Sequence, residues 1–421
     1  MIAMGRNAFA LYEERIARVK DAIALRKPDR VPIVSPVQKF VYDYAGVTMK
    51  EAMYQYDKTK RACKKFVYEF EPDMDFGPWF ALPGEVLEIV DLKWLRWPGH
   101  GLEDNNMYQF IEDEYMKEDE YDEFDADVTR FLLTKWLPRS AGNIQGLSKF
   151  PDIKNAMWFG WFPACLPFAS AELQGALQTL RYAGEALGRY YKFVGEYFAE
   201  IKAEHGFPAA AGSFAWAPFD LIGDTLRGTE GVLTDMLLRP AQLEKAIEKM
   251  VPVGIAMGVQ GLQITGNPFC WIWLHKGMDS FMSDVQFEQF YWRSLKRMID
   301  GLVAGGVTPM IYGEGWLNRR VKYFAELPRG KCMLHFDNAS FDDMRAAKNA
   351  LRDIACISGN VPNLLFSYGT PADIKDYVRK LIDICGRDGG YIMDTAALLD
   401  DAKPENIRAW FDFTREYGVY R

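Results

Sequence analysis

The chain has 421 residues, of which 49% are hydrophobic and 14% aromatic, and its formal net charge is −8. This length and composition support a large packed core, in one large domain or two ordinary ones. The negative charge excludes the basic face on which nucleic-acid-binding proteins depend.

The first 29 residues predict a charged, amphipathic helix without the apolar core of a signal peptide. One uncharged run, residues 251–274, is long enough to raise the question of a membrane span. Because it contains Gln, Asn, Pro and Gly residues, we interpret it as a helix end, a buried strand and a loop. The six cysteines are scattered and form no CxxC pair, which favours reduced thiols and a cytoplasmic location.

Eight segments share one pattern, a short apolar run followed by a turn rich in Gly, Pro, Asn or Asp. They are residues 30–36, 73–79, 209–220, 259–268, 307–316, 331–338, 354–362 and 390–396. Helical patterns separate most of them, and Ser283 and Thr370 are predicted N-caps of two such helices. Strands that alternate with helices predict a parallel sheet, and eight of them predict an α/β fold of the (β/α)₈ barrel type.

The strand–helix alternation breaks between residues 80 and 207, which predicts an insertion between early strands. Within it, residues 112–127 hold ten acidic residues and one Lys, a pattern typical of a solvated surface. We therefore expect one barrel domain over residues 1–421, with an N-terminal helical extension (1–29) and an insertion at about 80–207.

Glu314 and His335 each end an apolar run, and the two runs are neighbours in the chain. In a (β/α)₈ barrel the chemistry lies at the carboxyl ends of the strands, so both side chains are expected at one rim. Glu and His are zinc donors, and a catalytic site needs a third protein ligand. The candidates for that ligand are Asp337, Asp394 and Cys356.

The same residues permit a structural interpretation. In it Glu314 pairs with Arg319 or Arg320, and His335 is a hydrogen-bonded residue of the rim. A pair of residues does not define a metal site, so both interpretations stay open.

Aromatic residues follow several of the predicted strands: Trp79, Phe80, Phe214, Trp216, Phe269, Trp271, Tyr312 and Trp316. A pocket lined by them would suit an aromatic substrate, although a large barrel also buries many aromatic residues in its core. Asn360 follows strand seven and offers a polar group, or belongs to a tight turn. His275 lies in the loop after strand four, where a surface or hydrogen-bonded role is the simpler interpretation.

The order of motifs resembles the uroporphyrinogen decarboxylase superfamily, whose fold is a TIM barrel. The resemblance rests on "RVPIVSP" near the start, "FDLIGDTLRGTEGVLTDMLLRP" in the middle, residues 307–338, and "CISGNVPNLLFSYGTPADIKDYVRKLIDIC" followed by "GGYIMDTAALLDDAKPENIRAWFDFTREYG". It is strong over residues 207–421 and 20–50.

The superfamily divides by chemistry. Its decarboxylases bind a porphyrinogen with many carboxylates through an Arg-containing loop after the first strand, whereas residues 35–46 here hold one Lys and no Arg. Its thiol-methylating members place a His-x-Cys pair where this chain has Tyr312 and Glu314. Glu314 and His335 are similar to the zinc-binding Glu and His of ether-cleaving, veratrol-type methyltransferases.

The resemblance therefore implies a zinc-dependent O-demethylase. It would transfer a methyl group from a methoxylated, aromatic small molecule to Co(I) of a corrinoid (cobalamin) on a separate protein, because the chain has no corrinoid-binding signature. On this resemblance zinc would be held by Glu314 and His335. From the three candidates named above we take Asp337 as the third ligand, and we expect Tyr312, Asn360 and Asp394 to orient the substrate or supply a proton. Barrels of this family often dimerise, so the resemblance also allows a homodimer.

Three alternatives stay open at this stage. One is a decarboxylase, which would need cationic residues in the pocket. Another is methyl transfer from the corrinoid to a thiol or folate, for which Cys ligands would be favoured. The last is a barrel that only binds.

Overall fold

The computed structural model describes residues 6–337 and 339–420. A small sheet in the order β2–β1–β3 consists of β1 (Leu95–Pro98), β2 (Gly101–Leu102) and β3 (Gln109–Phe110). The main sheet is parallel and consists of β4 (Ser213–Trp216), β5 (Phe269–Leu274), β6 (Thr308–Gly313), β7 (Met333–Phe336), β8 (Cys356–Ser358) and β9 (Tyr391–Ile392), in that order.

Two further extended segments complete the ring of strands. Ile33 forms a parallel bridge with Met393, just after β9, and Asp75 forms one with Ala209, just before β4. The backbone N–H of Asp73 donates to the carbonyl of Ile33 at 3.0 Å, which joins the two segments. Together with the six strands of the main sheet, these segments form the eight-stranded (β/α)₈ TIM barrel that the sequence predicts.

Helices surround this ring. The α-helices are Arg6–Ile23, Lys39–Tyr44, Met49–Tyr54, Tyr56–Phe70, Gly84–Val90, Tyr121–Ala126, Val128–Phe131, Leu137–Ser140, Trp161–Ala164, Ala171–His205, Pro218–Ile222, Gly228–Leu238, Pro240–Thr265, Asp284–Gln286, Arg293–Ala304, Val321–Phe324, Phe341–Leu351, Asn363–Tyr368, Pro371–Leu381 and Pro404–Tyr417. Single π-helical turns at 132–136, 223–227, 287–292 and 382–386 extend or join some of them. No helix among the described residues is long and apolar enough to cross a membrane.

Two predicted helix starts are confirmed. The side chains of Ser283 and Thr370 each accept a hydrogen bond from the third helical residue, Gln286 and Asp373, whose side chains bond back to the cap. Each cap satisfies backbone N–H groups that the helix itself leaves free.

The strand predicted at 259–268 is wrong. The helix Pro240–Thr265 continues through most of that segment and ends at Gly266, whose φ of 69° is left-handed. Glycine adopts this conformation without steric cost, which makes it a common helix terminator. The strand follows as β5, so Phe269 and Trp271 lie within it rather than after it.

The barrel separates two hydrophobic layers because side chains alternate along each strand. Cys270, Ile272 and Leu274 of β5 face the surrounding helices, in the larger cluster of buried residues. Trp271 and Trp273 of the same strand point into the barrel, where a second cluster also contains Tyr312.

The region between residues 80 and 207 contains the small sheet, several short helices and the long helix Ala171–His205. Most acidic side chains of residues 112–127 face solvent, as expected. Others bind the helices after β4 instead: Glu114 pairs with Arg227, and Asp125 lies 3.1 Å from Lys249. The acidic segment is thus tied to the barrel by its charges.

Candidate active site at the barrel mouth

Strand register places the predicted site residues in two layers inside the barrel. Trp273, Tyr312, His335 and Ser358 are successive partners across β5 to β8. Two positions further along each strand, alternation brings the next inward-facing residues to the barrel mouth. These residues, here called the mouth layer, are His275, Glu314, Asp337, Asn360 and Asp394.

His335 is fully buried and held on three sides. Its ring stacks on Tyr312 with centroids 3.9 Å apart and an interplanar angle of 5°. Its Nε2 lies 2.9 Å from the carbonyl oxygen of Ala396. Because a carbonyl only accepts, Nε2 carries a proton. Nδ1, the other ring nitrogen, lies 3.2 Å from Oδ2 of Asp394 and makes no hydrogen bond within the described residues.

Glu314 and Asp337 place two carboxyl groups beside this imidazole. Burial raises the pKa of Glu314; the charge of His275 opposes that increase, and the charge of Asp337 adds to it. Burial also raises the pKa of Asp337, whose Oδ2 accepts a hydrogen bond from the Gly315 N–H at 3.0 Å. Both groups are therefore easier to protonate than exposed carboxyl groups.

The arginines near Glu314 have other partners. Arg320 is fully buried and lies 2.6 Å from Asp284 and 3.5 Å from Asp279. Arg319 reaches Asp284 at 4.0 Å. Among the described residues, the structural interpretation of Glu314 as the ion-pair partner of these arginines is wrong.

Tyr312, Asn360 and Asp394 also lie at this inner surface. Asp394 accepts hydrogen bonds from the Thr395 N–H at 2.7 Å and from the Ser358 hydroxyl at 3.3 Å. The amide nitrogen of Asn360 donates to the backbone carbonyl of Asp337 at 2.8 Å.

Four buried polar atoms of this group have no hydrogen-bond partner among the described residues. They are Nδ1 of His335, the hydroxyl of Tyr312, Oδ1 of Asp337 and Oδ1 of Asn360. A buried polar atom without a partner costs free energy, so each one calls for an explanation. Four of them in one group make the barrel mouth the candidate ligand site.

The donor types fit a zinc ion, since an unprotonated imidazole nitrogen and carboxylate oxygens are common zinc ligands. The Nε2–H bond to a backbone carbonyl is also the usual support of a metal-bound histidine. However, no three His, Cys, Asp or Glu side chains converge as a ligand set within residues 6–337 and 339–420. Zinc binding by Glu314, His335 and Asp337 thus needs a side-chain rearrangement and stays a prediction.

The alternative third ligands are less suitable. Burial raises the pKa of the Cys356 thiol to about 12, which disfavours the thiolate that zinc prefers. Asp394 already accepts the two hydrogen bonds described above.

A second polar group, which the sequence did not reveal, surrounds His275. The ring Nδ1 of His275 lies 2.6 Å from Oδ2 of Asp224. The buried Asp220 accepts backbone hydrogen bonds from His275 at 3.0 Å and Lys276 at 3.1 Å, and one from the Tyr291 hydroxyl at 2.6 Å. Lys276 lies 2.7 Å from Asp224.

This arrangement holds His275 as a cation. Burial alone would lower its pKa, but the hydrogen bond with Asp224 and the charge of Asp220 outweigh that effect and raise the pKa to about 9. Burial raises the pKa of Asp220 to about 7, with a further contribution from the charge of Asp224. An imidazolium fixed by a carboxylate at the barrel mouth can donate a proton to a bound substrate.

The sequence contained one signal for this group. Asp220 and Asp224 are four residues apart directly after β4, in the segment "FDLIGDTLRG". That spacing brings both carboxylates to one side of a helix. Their partner His275 is 51 residues away from Asp224, and only the fold brings the two together.

The predicted aromatic residues lie at three different depths. Trp271 is fully buried, and its indole N–H donates to Ala210 at 2.9 Å, so its predicted rim position is wrong. Phe80 is buried next to Phe76. Trp79 is half-buried and packs edge-on against Phe214, and Trp216 is half-buried too. Trp316 is 62% exposed.

Comparison with known proteins agrees with the barrel fold. A family model described as Uroporphyrinogen decarboxylase (URO-D) matches residues 175–417. A methyltransferase from Methanosarcina mazei has a similar fold, with a TM-score of 0.60 and 13% sequence identity over 96% of this chain and 98% of its own. No curated protein matches the chain. Because the family match spans more than half of the chain, the protein belongs to the uroporphyrinogen decarboxylase (URO-D) family.

Proposed function

We propose that the protein is a methyltransferase that removes a methyl group from a methoxylated, aromatic small molecule and passes it to Co(I) of a corrinoid on a separate protein. The observation that carries the proposal is the mouth layer, in which His275 and two carboxyl groups of raised pKa, Glu314 and Asp337, lie above an aromatic interior. The fold likeness to a methyltransferase supports it.

The reaction breaks the bond between the methyl carbon and the ether oxygen, and the electron pair of that bond stays on oxygen. A corrinoid, when its carrier protein docks, supplies the nucleophile that accepts the methyl group. A phenolate is a poor leaving group, so the site must stabilise negative charge on the oxygen or protonate it. Zinc bound by Glu314, His335 and Asp337 would supply Lewis-acid stabilisation at this position.

Protein groups can perform the remaining tasks. Burial keeps the pKa of Tyr312 well above its usual value, so its hydroxyl stays protonated and is a hydrogen-bond donor without a partner in the described part of the chain. It can bind the leaving oxygen. Asn360 and Asp394 would orient the substrate, and Trp79, Phe214 and Trp216 would contact its ring.

The charges near the mouth disfavour a substrate with many carboxylates. Lys39, the only basic residue of residues 35–46, lies 2.5 Å from Asp43 and 3.2 Å from Asp401. Lys276 is likewise paired with Asp224. A porphyrinogen needs free cations to neutralise its carboxylates, so methyl transfer is the better proposal.

The test combines metal analysis with an activity screen. We expect about one zinc per chain in the purified protein, lost in Glu314→Ala and His335→Ala because each removes a donor. The control is His100→Ala, whose imidazole is exposed and bonded to Glu88. The wild type should demethylate a subset of methoxybenzenes when a Co(I) corrinoid protein is supplied, and the two site variants should not. A zinc-free wild type that demethylates none of them would contradict the proposal.

A further inference from the structure

The helix Ala171–His205 extends well beyond the barrel rim. The Tyr197 hydroxyl donates to Asp75 at 2.6 Å and the Tyr190 hydroxyl to the carbonyl of Pro78 at 3.2 Å, at the carboxyl end of the second strand segment. Residues 171–189 therefore lie beyond the rim. At about 1.5 Å per residue they span about 28 Å. We call residues 153–189 the arm and residues 153–170 its tip.

The arm has its own small core. Leu173 and Ala176 of the long helix are buried against Ala141, Ile144 and Leu147. Arg189 lies 2.6 Å from Glu85, which fixes the long helix to the helix Gly84–Val90. These contacts hold in place the helix that carries the tip.

The tip is apolar and exposed. Seven large apolar side chains there are between 52% and 85% exposed: Ile153, Met157, Trp158, Phe159, Trp161, Phe162 and Leu166. Residues 155–171 contain no charged residue. Large aromatic side chains cover about 150–250 Å² each, so the tip presents several hundred Å² of apolar surface. That approaches the roughly 800 Å² that each partner buries in a standard stable interface.

One face of the long helix is also exposed and carries three glycines. Gly184, Gly188 and Gly195 lie on the same face, and a Cβ added at any of them would meet no atom within 4 Å. Packing within the protein therefore does not require glycine there, although glycine weakens a helix relative to alanine. Close approach of another backbone would explain these residues.

The composition of this surface indicates which kind of partner binds it. Membrane-surface segments combine apolar residues with Lys or Arg. The tip has a single basic residue, Lys154, which lies 3.1 Å from Asp127, and residues 155–170 have none. Transient partners usually meet at polar surfaces, and permanent homodimers bury apolar ones. We propose that the arm is the dimer interface of this protein, with a second copy packed against the tip and the glycine face.

The test measures the oligomeric state of the full chain by sedimentation velocity over a wide range of concentration. The wild type should be a dimer. The double variant Trp158→Asp, Phe159→Asp should weaken dimerisation at least about 100-fold, since it places charges in a desolvated contact. Gly188→Leu should weaken it too, because the added side chain finds space in the monomer and blocks only a second chain.

The matched control is Ile264→Asp, which also replaces an 85% exposed apolar residue but lies on another helix. It should remain dimeric, and circular dichroism should show that all variants stay folded. A monomeric wild type overturns the proposal, as does a tip variant that dimerises normally. Binding of a monomeric wild type to lipid vesicles would overturn it in favour of a membrane contact. None of these outcomes depends on the proposed methyl transfer.

Discussion

The charge at the barrel mouth depends most directly on the side chain of His275. It faces Asp224 and Asp220 from the helix after β4, and the charge of Glu314 acts on it from β6. Lys276, its neighbour in the chain, shares Asp224. Carboxylates thus outnumber cations around it, which favours the protonated ring over the neutral one.

We expect Asp224→Asn to lower the pKa of His275 below its value of about 9. Burial lowers this pKa, and the variant removes the carboxylate of Asp224 that raises it. In the wild type the ring charge is present below pH 9 and is lost as the pH rises through that value. In the variant the same loss occurs at lower pH. NMR titration of the four histidines measures both values.

Asp376→Asn is a suitable control, since Asp376 is exposed and pairs with Arg379. An unchanged His275 titration in Asp224→Asn would show that Asp224 does not hold the proton. Under the proposed function, the alkaline limit of demethylation should also move to lower pH in this variant.

For single residues, the sequence predicted those that end a strand. It missed the interactions between residues that are far apart in the chain. Glu314 and His335 were recognisable because each ends an apolar run. The stacking of Tyr312 on His335 and the bond from Nε2 to Ala396 depend on strand register, which a single sequence does not specify. The network around His275 was missed for the same reason.

For the secondary-structure elements, neighbouring residues in the sequence predict some boundaries and not others. Capping residues identified two helix starts because a cap is recognised within four residues. The short apolar run 259–268 was assigned to a strand because periodicity alone does not separate short helical and extended segments. The decisive feature was the left-handed Gly266, which ends the helix just before β5.

Thr370→Ala should destabilise the protein by about 1 kcal/mol, because the helix Pro371–Leu381 then loses the hydrogen bond to the Asp373 N–H. Urea unfolding measures the change in the free energy of unfolding. Thr370→Ser keeps the hydroxyl and should retain most of the stability. Equal losses in both variants would mean that the cap contributes nothing.

Across the whole molecule, the barrel followed from the sequence because eight apolar segments alternate with helices. The attachment of the insertion did not follow, because it rests on ion pairs between residues far apart in the chain. Arg227 is its main anchor: it lies 2.6 Å from the buried Asp235, pairs with Glu114 and donates to the carbonyl of Met116 at 2.5 Å.

Arg227→Met should destabilise the protein by about 3 kcal/mol or more, because it leaves the carboxylate of Asp235 buried with too little compensation. Residues 112–127 should become more sensitive to protease. In contrast, Arg239→Met removes a partly exposed partner of the same carboxylate and should cost less than about 1 kcal/mol. Urea unfolding and limited proteolysis of both variants check this, and similar behaviour of the two would contradict the assigned role of Arg227.

The closure of the barrel has a consequence for how the protein is made. The first strand segment completes the ring by pairing with Met393, and the N–H of Val31 donates to the carbonyl of Gly418. During synthesis the first strand segment therefore lacks this partner until Met393 has left the ribosome. Until then the apolar interior lined by Trp271 and Trp273 has an open side, so the growing chain is vulnerable to aggregation, and in need of a chaperone, until that partner has been made.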